Sequence, residues 1–482
     1  MAPHALTLAT LLACLGATTQ TGSQPVDQAL KFTLGAETIH LPGREHMGLV
    51  GGSLLFDAGS GWWLGPAVYG AATGQRGGFY VGGLETQRRW RLAQGTELAA
   101  GLYAGGGGGA AAPVGGGLML RPALTLWQDV GPLQAGLGWS QVRFPSGDIR
   151  RNQWSLLLGW QTGLRHQTGS ASWTGAGRSG LGFDRMAMTL GDYRVTTAGA
   201  NRKIGLVGMR AERDLAVPGL VAGVEAAAAA RGDAAGYMEI LGNLGWHLAP
   251  LPQALPSLQL GVRGAVGLGG GGAMPMGGGA FAKATATASF SPVPGWTLGA
   301  DLGRAIGHPL RARSAQLWLA TDLEPTAPTG SGARPTLRTE WVTSLQHHTR
   351  VARGDGSTRS LDTIGLELNR YLGRNLYLSG QAHSALAGGA GGYSIGLLGL
   401  GLATADDTPW RLGGELLAGA AGGGGVRSGG GAVGQAKLWA GWSPTPAQEL
   451  RLSAAGMRSN SGALSTPVLG LSWSHRFDIG GR

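Results

Sequence analysis

The chain of 482 residues has one cysteine, Cys14, and none after it, so no disulfide can join any two points of the body. That excludes a disulfide-stapled scaffold and fits an exported protein with no need of such bonds. Charge is scarce at 13%, and lysine is limited to Lys31, Lys203, Lys283 and Lys437. A disordered chain carries more charge and fewer Trp and Leu than this, so the glycine sits inside ordered structure. No stretch offers the 18 or more uncharged apolar residues of a transmembrane helix. With 23 prolines and no Gly-X-Y period, the sequence is not collagen-like either. If the chain crosses a membrane, only a closed sheet remains to do it.

What the sequence has in abundance is glycine, 92 residues of it, and the glycine is punctuated. Blocks at Gly105 to Gly109 with Gly115 to Gly117, Gly269 to Gly272 with Gly277 to Gly279, and Gly422 to Gly425 with Gly429 to Gly431 mark three copies of one unit. Gly48-Leu49, Gly205-Leu206 and Gly365-Leu366 open a matching strand in each copy, so two landmarks recur in step. Ahead of the repeats, the apolar run Ala5 to Ala17 followed by small and polar residues reads as an export signal over 1–24, although no Lys or Arg precedes it. Leu11-Leu12-Ala13-Cys14 is also similar to a lipoprotein processing box, which would acylate Cys14.

Each copy divides into eight segments of roughly ten residues separated by turn residues, the pattern expected of membrane-crossing strands. They lie near 30–39, 47–57, 61–72, 77–89, 96–105, 116–128, 132–143 and 152–162 in the first copy. The second copy has them near 185–196, 203–214, 219–230, 236–248, 257–268, 278–290, 296–306 and 313–322. In the third they fall near 337–350, 362–372, 375–386, 392–403, 409–420, 430–442, 449–459 and 466–477. The expected organisation is repeat one at 25–162, a linker at 163–184, repeat two at 185–322, a linker at 323–336, repeat three at 337–477 and a tail at 478–482.

Alternate side chains of a strand point to opposite faces. Leu133, Ala135, Leu137 and Trp139 share one face, and Gln134, Gly136, Gly138 and Ser140 the other. The same split sets Trp296, Leu298 and Leu302 against Asp301, and Leu450 and Leu452 against Arg451. Arg121, Lys283 and Gln435 occupy one repeat position on the polar face. The fold class is therefore all-β, a transmembrane antiparallel β-barrel of about 24 strands from three internal eight-strand repeats, with Arg121, Lys283, Gln435, Gln134, Asp301 and Arg451 facing the lumen. Eight strands also suffice for a small barrel, but the sampled inward positions are mostly Gly, Ala and Ser, which favours one ring of about 45 to 50 Å diameter over three packed ones.

Short turns after the second and sixth strand of each copy, such as Gly131-Pro132 and Gly373-Arg374, put these ends in the periplasm. The glycine blocks then lie on the outer side, where Gly105, Gly109, Gly115, Gly269, Gly277, Gly422 and Gly429 are candidate gating positions. The last strand, with Leu469, Leu471, Trp473 and Phe477, resembles the closing signal of Gram-negative outer-membrane β-barrels, although Asp478 to Arg482 follow it. That resemblance is to a structural class, and it implies outer-membrane location and handling by the barrel assembly machinery. A wide ring without an internal plug needs gating loops or a lumen-filling or periplasmic protein partner. The expectation is an outer-membrane pore or export conduit for a large solute, polymer or protein, with a scaffold that anchors a partner as the alternative.

Chemistry beyond this is sparse. His347 and His348 are adjacent and so face opposite ways, which argues against a shared metal; Asp355 and Asp362 have no evident partner in the sequence. GxGxxG matches in a chain this rich in glycine carry no phosphate-binding message. Arg231-Gly232-Asp233 and Arg353-Gly354-Asp355 fall in outer loops. No catalytic, metal or cofactor residue emerges, and the net charge of +11 is not arranged as a basic run interleaved with aromatics, so nucleic acid is not expected. Membrane lipid is, and lipopolysaccharide phosphates are the natural counterpart of Arg143, Arg150 and Arg151 in one outer loop and Arg311 and Arg313 in its equivalent.

Overall fold

The computed structural model describes residues 25–167, 172–173, 180, 182–197, 202–248, 258–323 and 334–480. The expected signal segment and Cys14 lie outside them. The first copy forms β1 (Val26–His40), β2 (His46–Asp57), β3 (Trp62–Thr73), β4 (Tyr80–Ala93), β5 (Thr96–Gly108), β6 (Met119–Val130), β7 (Leu133–Arg143) and β8 (Arg150–His166). A two-residue β9 (Ser172–Trp173) follows. The second copy forms β10 (Arg185–Val195), β11 (Lys203–Asp214), β12 (Leu220–Arg231), β13 (Met238–His247), β14 (Leu258–Gly270), β15 (Ala280–Val293), β16 (Trp296–Gly307) and β17 (Arg311–Asp322). The third has β18 (Arg334–Ala352), β19 (Thr358–Tyr371), β20 (Leu376–Ala387), β21 (Ser394–Ala403), β22 (Trp410–Gly422), β23 (Ala432–Thr445), β24 (Gln448–Ser459) and β25 (Ser465–Gly480).

These strands do not join in one ring. β1 pairs with β8, β10 with β17 and β18 with β25, so each copy closes on itself as an eight-stranded antiparallel barrel. The single 24-strand ring is thereby corrected to three barrels in series. β9 adds to the edge of β18 through Ser172 and Trp173, and β8, β18 and β25 reach into the segments expected to be linker or tail.

The reason lies in how glycines and large inward side chains are matched. An eight-stranded barrel has a backbone diameter of about 16 Å, just enough for side chains to fill it. Beside many inward glycines stands a ring that takes the space a Cβ would need. A methyl on Gly136 would lie 2.9 Å from the Trp127 ring, and methyls on Gly51, Gly299, Gly401 and Gly413 would overlap Tyr69, Trp318, Tyr377 and Trp439. The bare positions seen in the sequence are thus sockets for the aromatic residue of the adjoining strand, a known way of seating rings over strand glycines. What looked like an empty wall is a packed interior.

The opposite faces are apolar and exposed. Leu137, Leu156, Leu190, Leu302, Leu416 and Leu438 each leave about half or more of their surface uncovered, although leucine is normally a core residue. With Trp154, Trp246 and Trp410 among them, they form a belt around all three barrels. Patches of that extent mark a surface that meets a membrane or partner.

Candidate functional site: filled interiors and a glycine joint

All six sequence-selected polar residues face barrel interiors. In the first barrel, Arg121 donates to Glu37 through Nε (3.0 Å) and Nη2 (2.8 Å) and to the Tyr69 hydroxyl (3.3 Å). Ser140 donates to the same carboxylate at 2.9 Å. Nearer the end away from the glycine loops, Glu97 receives Lys31 (2.9 Å) and Arg89 (3.2 Å), while Arg89 lies 4.9 Å over the Trp127 ring. Gln134 accepts from Arg89 at 3.2 Å and donates to Asp129 at 2.8 Å.

The second barrel repeats the theme with other residues. Asp301 accepts from Arg210 (2.6 Å) and from the Trp318 indole (2.8 Å). Lys283 is paired with Glu225, which also receives Arg210 at 3.1 Å, and Arg263 is paired with Glu212. Glu239 collects the hydroxyls of Tyr193 (3.1 Å) and Tyr237 (2.7 Å). In the third barrel, Glu340 is held by Arg451 (2.6 Å), Arg411 (3.0 Å) and the Tyr371 hydroxyl (3.0 Å). Lys437 bridges Glu367 (2.9 Å) and Glu415 (2.8 Å). Gln435 is buried beside this network without a hydrogen bond to its amide.

Cations and carboxylates are therefore matched within each copy, as buried charges must be if they are not to cost several kcal/mol each. Arg121, Lys283, Asp301 and Arg451 are each one partner of such a pair, while neither partner of Lys31–Glu97, Arg263–Glu212 or Lys437–Glu415 was among the sequence candidates. Glu37, Glu225 and Glu340 were legible only as inward positions with a charge opposite in sign to Arg121, Lys283 and Arg451.

Above each polar network the interior turns apolar. Ile39, Met47, Phe79, Val114, Phe144 and Ile149 form a cap in the first barrel, and Val114 belongs to its glycine loop. Tyr193, Tyr237, Met274, Met276 and Phe281 do so in the second, and Val351, Tyr393, Met457 and Leu464 in the third. The outer loops thus seal their own barrel.

The glycine loops also join the barrels to one another. Each β-turn after a barrel's third strand enters the glycine loop of the next barrel, first to second, second to third and third to first. Gly77 donates its N–H to the Gly277 carbonyl at 2.6 Å, and Gly391 donates to Gly115 at 3.0 Å. A Cβ on Gly78, Gly236 or Gly392 would run into the backbone of Gly271, Gly423 or Gly109. Likewise one on Gly279, Gly431 or Gly117 would meet the carbonyl of Ala71, Ala229 or Ala385. The joint is backbone against backbone, in three equivalent copies, and only glycine permits that approach.

Of the seven candidate gating glycines, Gly109, Gly115, Gly277 and Gly422 touch a neighbouring barrel, whereas Gly105, Gly269 and Gly429 pack within their own. The turn glycines that complete the joint leave no mark of it in the sequence, because a glycine there looks like that of any tight turn. At the other end, Phe56 of the first barrel meets Trp341 of the third edge to face, with centroids 4.9 Å apart.

The remaining sequence candidates resolve simply. Asp362, without a partner in the sequence, is bonded to His347 at 2.6 Å across adjacent strands, and Asp355 binds Ser357 and Arg359. His348 points inward and is buried, opposite to His347. Arg353 is also buried, donating to the Gly388 carbonyl at 3.0 Å, so that Arg-Gly-Asp triplet does not display its arginine. Arg231 is tied to Asp192 at 2.7 Å. Among the described residues no group of three or more His, Cys, Asp or Glu is placed to hold a metal.

No family model matches this chain, and no curated protein matches it in sequence. Solved structures overlap it at low identity. The outer membrane protein OpdK of Pseudomonas aeruginosa is 11% identical over 94% of this chain and 99% of its own, with a TM-score of 0.23. The siderophore receptor PirA of the same organism is 10% identical over 95% of this chain and 81% of its own, at 0.26. The FrpB iron transporter of Neisseria meningitidis is 10% identical over 94% and 82%, also at 0.26. These TM-scores are low, and no structural or functional step rests on them.

Proposed function

We propose that the chain is an integral outer-membrane protein of three sealed barrels, a rigid membrane-anchored scaffold and not a wide conduit. The observation that carries this is the combination of an exposed apolar belt with interiors filled by charge pairs and capped by aromatics. The belt calls for hydrocarbon around the barrels, since only closed sheets can satisfy every backbone group there. The filled interiors leave no place for a polymer, and they remove the need for a partner to plug the lumen. The closing-strand pattern supports assembly by the outer-membrane barrel machinery, and the sequence supports no enzyme.

A narrow pore is the second reading, favoured by the continuous polar network below each cap. Reconstitution into planar bilayers tests both. The scaffold reading expects protein that inserts and shifts on unheated gels yet raises no conductance of porin size. Large steps from the wild-type protein would overturn it; small steps that grow when Glu340 and Arg451 are both replaced by alanine would establish the narrow pore.

A further inference from the structure

The outward wall of the second barrel bears a row of four cations in direct register. Lys203 on β11 is opposite Arg194 on β10, Arg194 is opposite Arg313 on β17, and Arg313 is opposite Arg304 on β16. All four are exposed, and among the described residues none has a salt-bridge partner. Arg311 adds a fifth charge one outward position further up β17. The carboxylate nearest in register, Asp192, is already engaged by Arg231 at 2.7 Å. Like charges directly opposite on neighbouring strands repel and destabilise a sheet, so folding alone does not account for the row.

Its position does. Below it on the same wall come Leu302, then Leu190 and Leu317 side by side, each more than 60% exposed. The row therefore sits where an apolar belt gives way to the outer rim, and spans about 14 Å across four strands at the usual spacing. We propose that it is a site for a membrane amphiphile whose acyl chains lie against the leucines and whose headgroup carries two or more phosphates, a phosphorylated glycolipid of the outer leaflet. This rests on the outer-membrane reading above. The equivalent register positions of the first barrel hold His46, His40, Asn152 and Gln141, with Gln141 bonded to Asn152 at 2.8 Å, so the row belongs to the second barrel and is not a general trait of the fold.

The test compares the full chain with a variant carrying Lys203→Gln, Arg194→Gln, Arg304→Gln and Arg313→Gln, and with Arg374→Gln at the opposite end as a control. Each is reconstituted into phosphatidylcholine vesicles containing a diphosphorylated acylated glycolipid or its dephosphorylated form, extracted in mild detergent and weighed by native mass spectrometry. The wild type and Arg374→Gln are expected to retain the phosphorylated lipid at least about tenfold more tightly than the fourfold variant, given the usual attraction per basic residue at an anionic surface. The dephosphorylated lipid should show no such difference. A fourfold variant that inserts and folds but keeps the phosphorylated lipid undiminished overturns the site while leaving the membrane reading intact. Wild-type protein that fails to enter vesicles overturns the membrane reading itself. Displacement of the lipid by an equal concentration of soluble inorganic polyphosphate would overturn the lipid as the occupant.

Discussion

Replacing Gly299 by alanine asks whether the rings seated over glycines hold the barrels filled. The added methyl would overlap three atoms of the Trp318 ring. That ring is 6% exposed and its Nε1 donates to Asp301 at 2.8 Å, so it cannot slide aside without giving up a bond to a buried carboxylate. Overpacking of this kind costs about 1–3 kcal/mol, and loss of the charged hydrogen bond adds about 1.5–3 kcal/mol if the ring is the part that yields. Gly264 lies on β14 of the same barrel, faces outward and would place its methyl in open space. There the same substitution should stabilise by about 0.4–1 kcal/mol through the unfolded chain. One chemical change thus has opposite signs at two positions. Urea titration in micelles, followed by tryptophan fluorescence, reads both, and a Trp318→Leu background should remove most of the Gly299→Ala cost. Equal effects at Gly299 and Gly264, or a Gly299→Ala cost that persists without the Trp318 ring, would refute the seating argument.

Glu340→Gln in the third barrel should cost about 3–5 kcal/mol because Arg411 and Arg451 lose their shared buried anion, whereas Asp407→Asn, which breaks an exposed pair with Arg374, should cost under about 1 kcal/mol in the same titration. Substituting leucine at Gly78, Gly236 and Gly392 together should leave folded barrels of which the third parts from the first two on native gels once a protease site inserted at 326–329 is cut, while the cut parent stays whole. At the β1–β2 hairpin, hydrogen bonds from Arg76 hold the Glu45 carboxyl below the usual glutamate range. A depressed carboxylate stabilises above its unfolded pKa and loses that contribution as pH falls through the folded value. Amide protection at Leu41, whose N–H is bonded to the Glu45 carbonyl at 2.8 Å, should hold near pH 5 and decline below the ordinary glutamate value of about 4.3. Glu45→Gln should flatten that dependence.

Strand positions and faces were legible because period-two alternation is a local property of the chain. Lys283, Thr285, Thr287 and Ser289 on β15 alternate with small exposed residues as the pattern requires. Closure was not legible, since whether β8 returns to β1 or continues to the next copy leaves the alternation unchanged. The overlooked signal was complementarity within each copy. Trp127 beside Gly136 and Gly159, or Trp439 beside Gly413, pairs volume with void inside one eight-strand unit, and each copy also carries inward charges of both signs that pair with one another. A ring three times wider would have no use for either match. The glycine joint was hidden for another reason, because a backbone contact between distant turns leaves no mark in side-chain chemistry.

The joint has an evolutionary corollary. Three identical subunits meeting head to tail must carry every surface device three times or not at all, because one gene writes all three. Here the chain itself keeps the barrels together at high effective concentration, so the contacts between them can be modest and each barrel is free to drift from its siblings. The third meeting point already shows this, with Ala235 standing where Gly77 and Gly391 make their bonds. So does the cation row, which the first barrel does not repeat at the same register. Three barrels on one chain present three addressable sides, and specialisation of a single side requires no compromise from the other two.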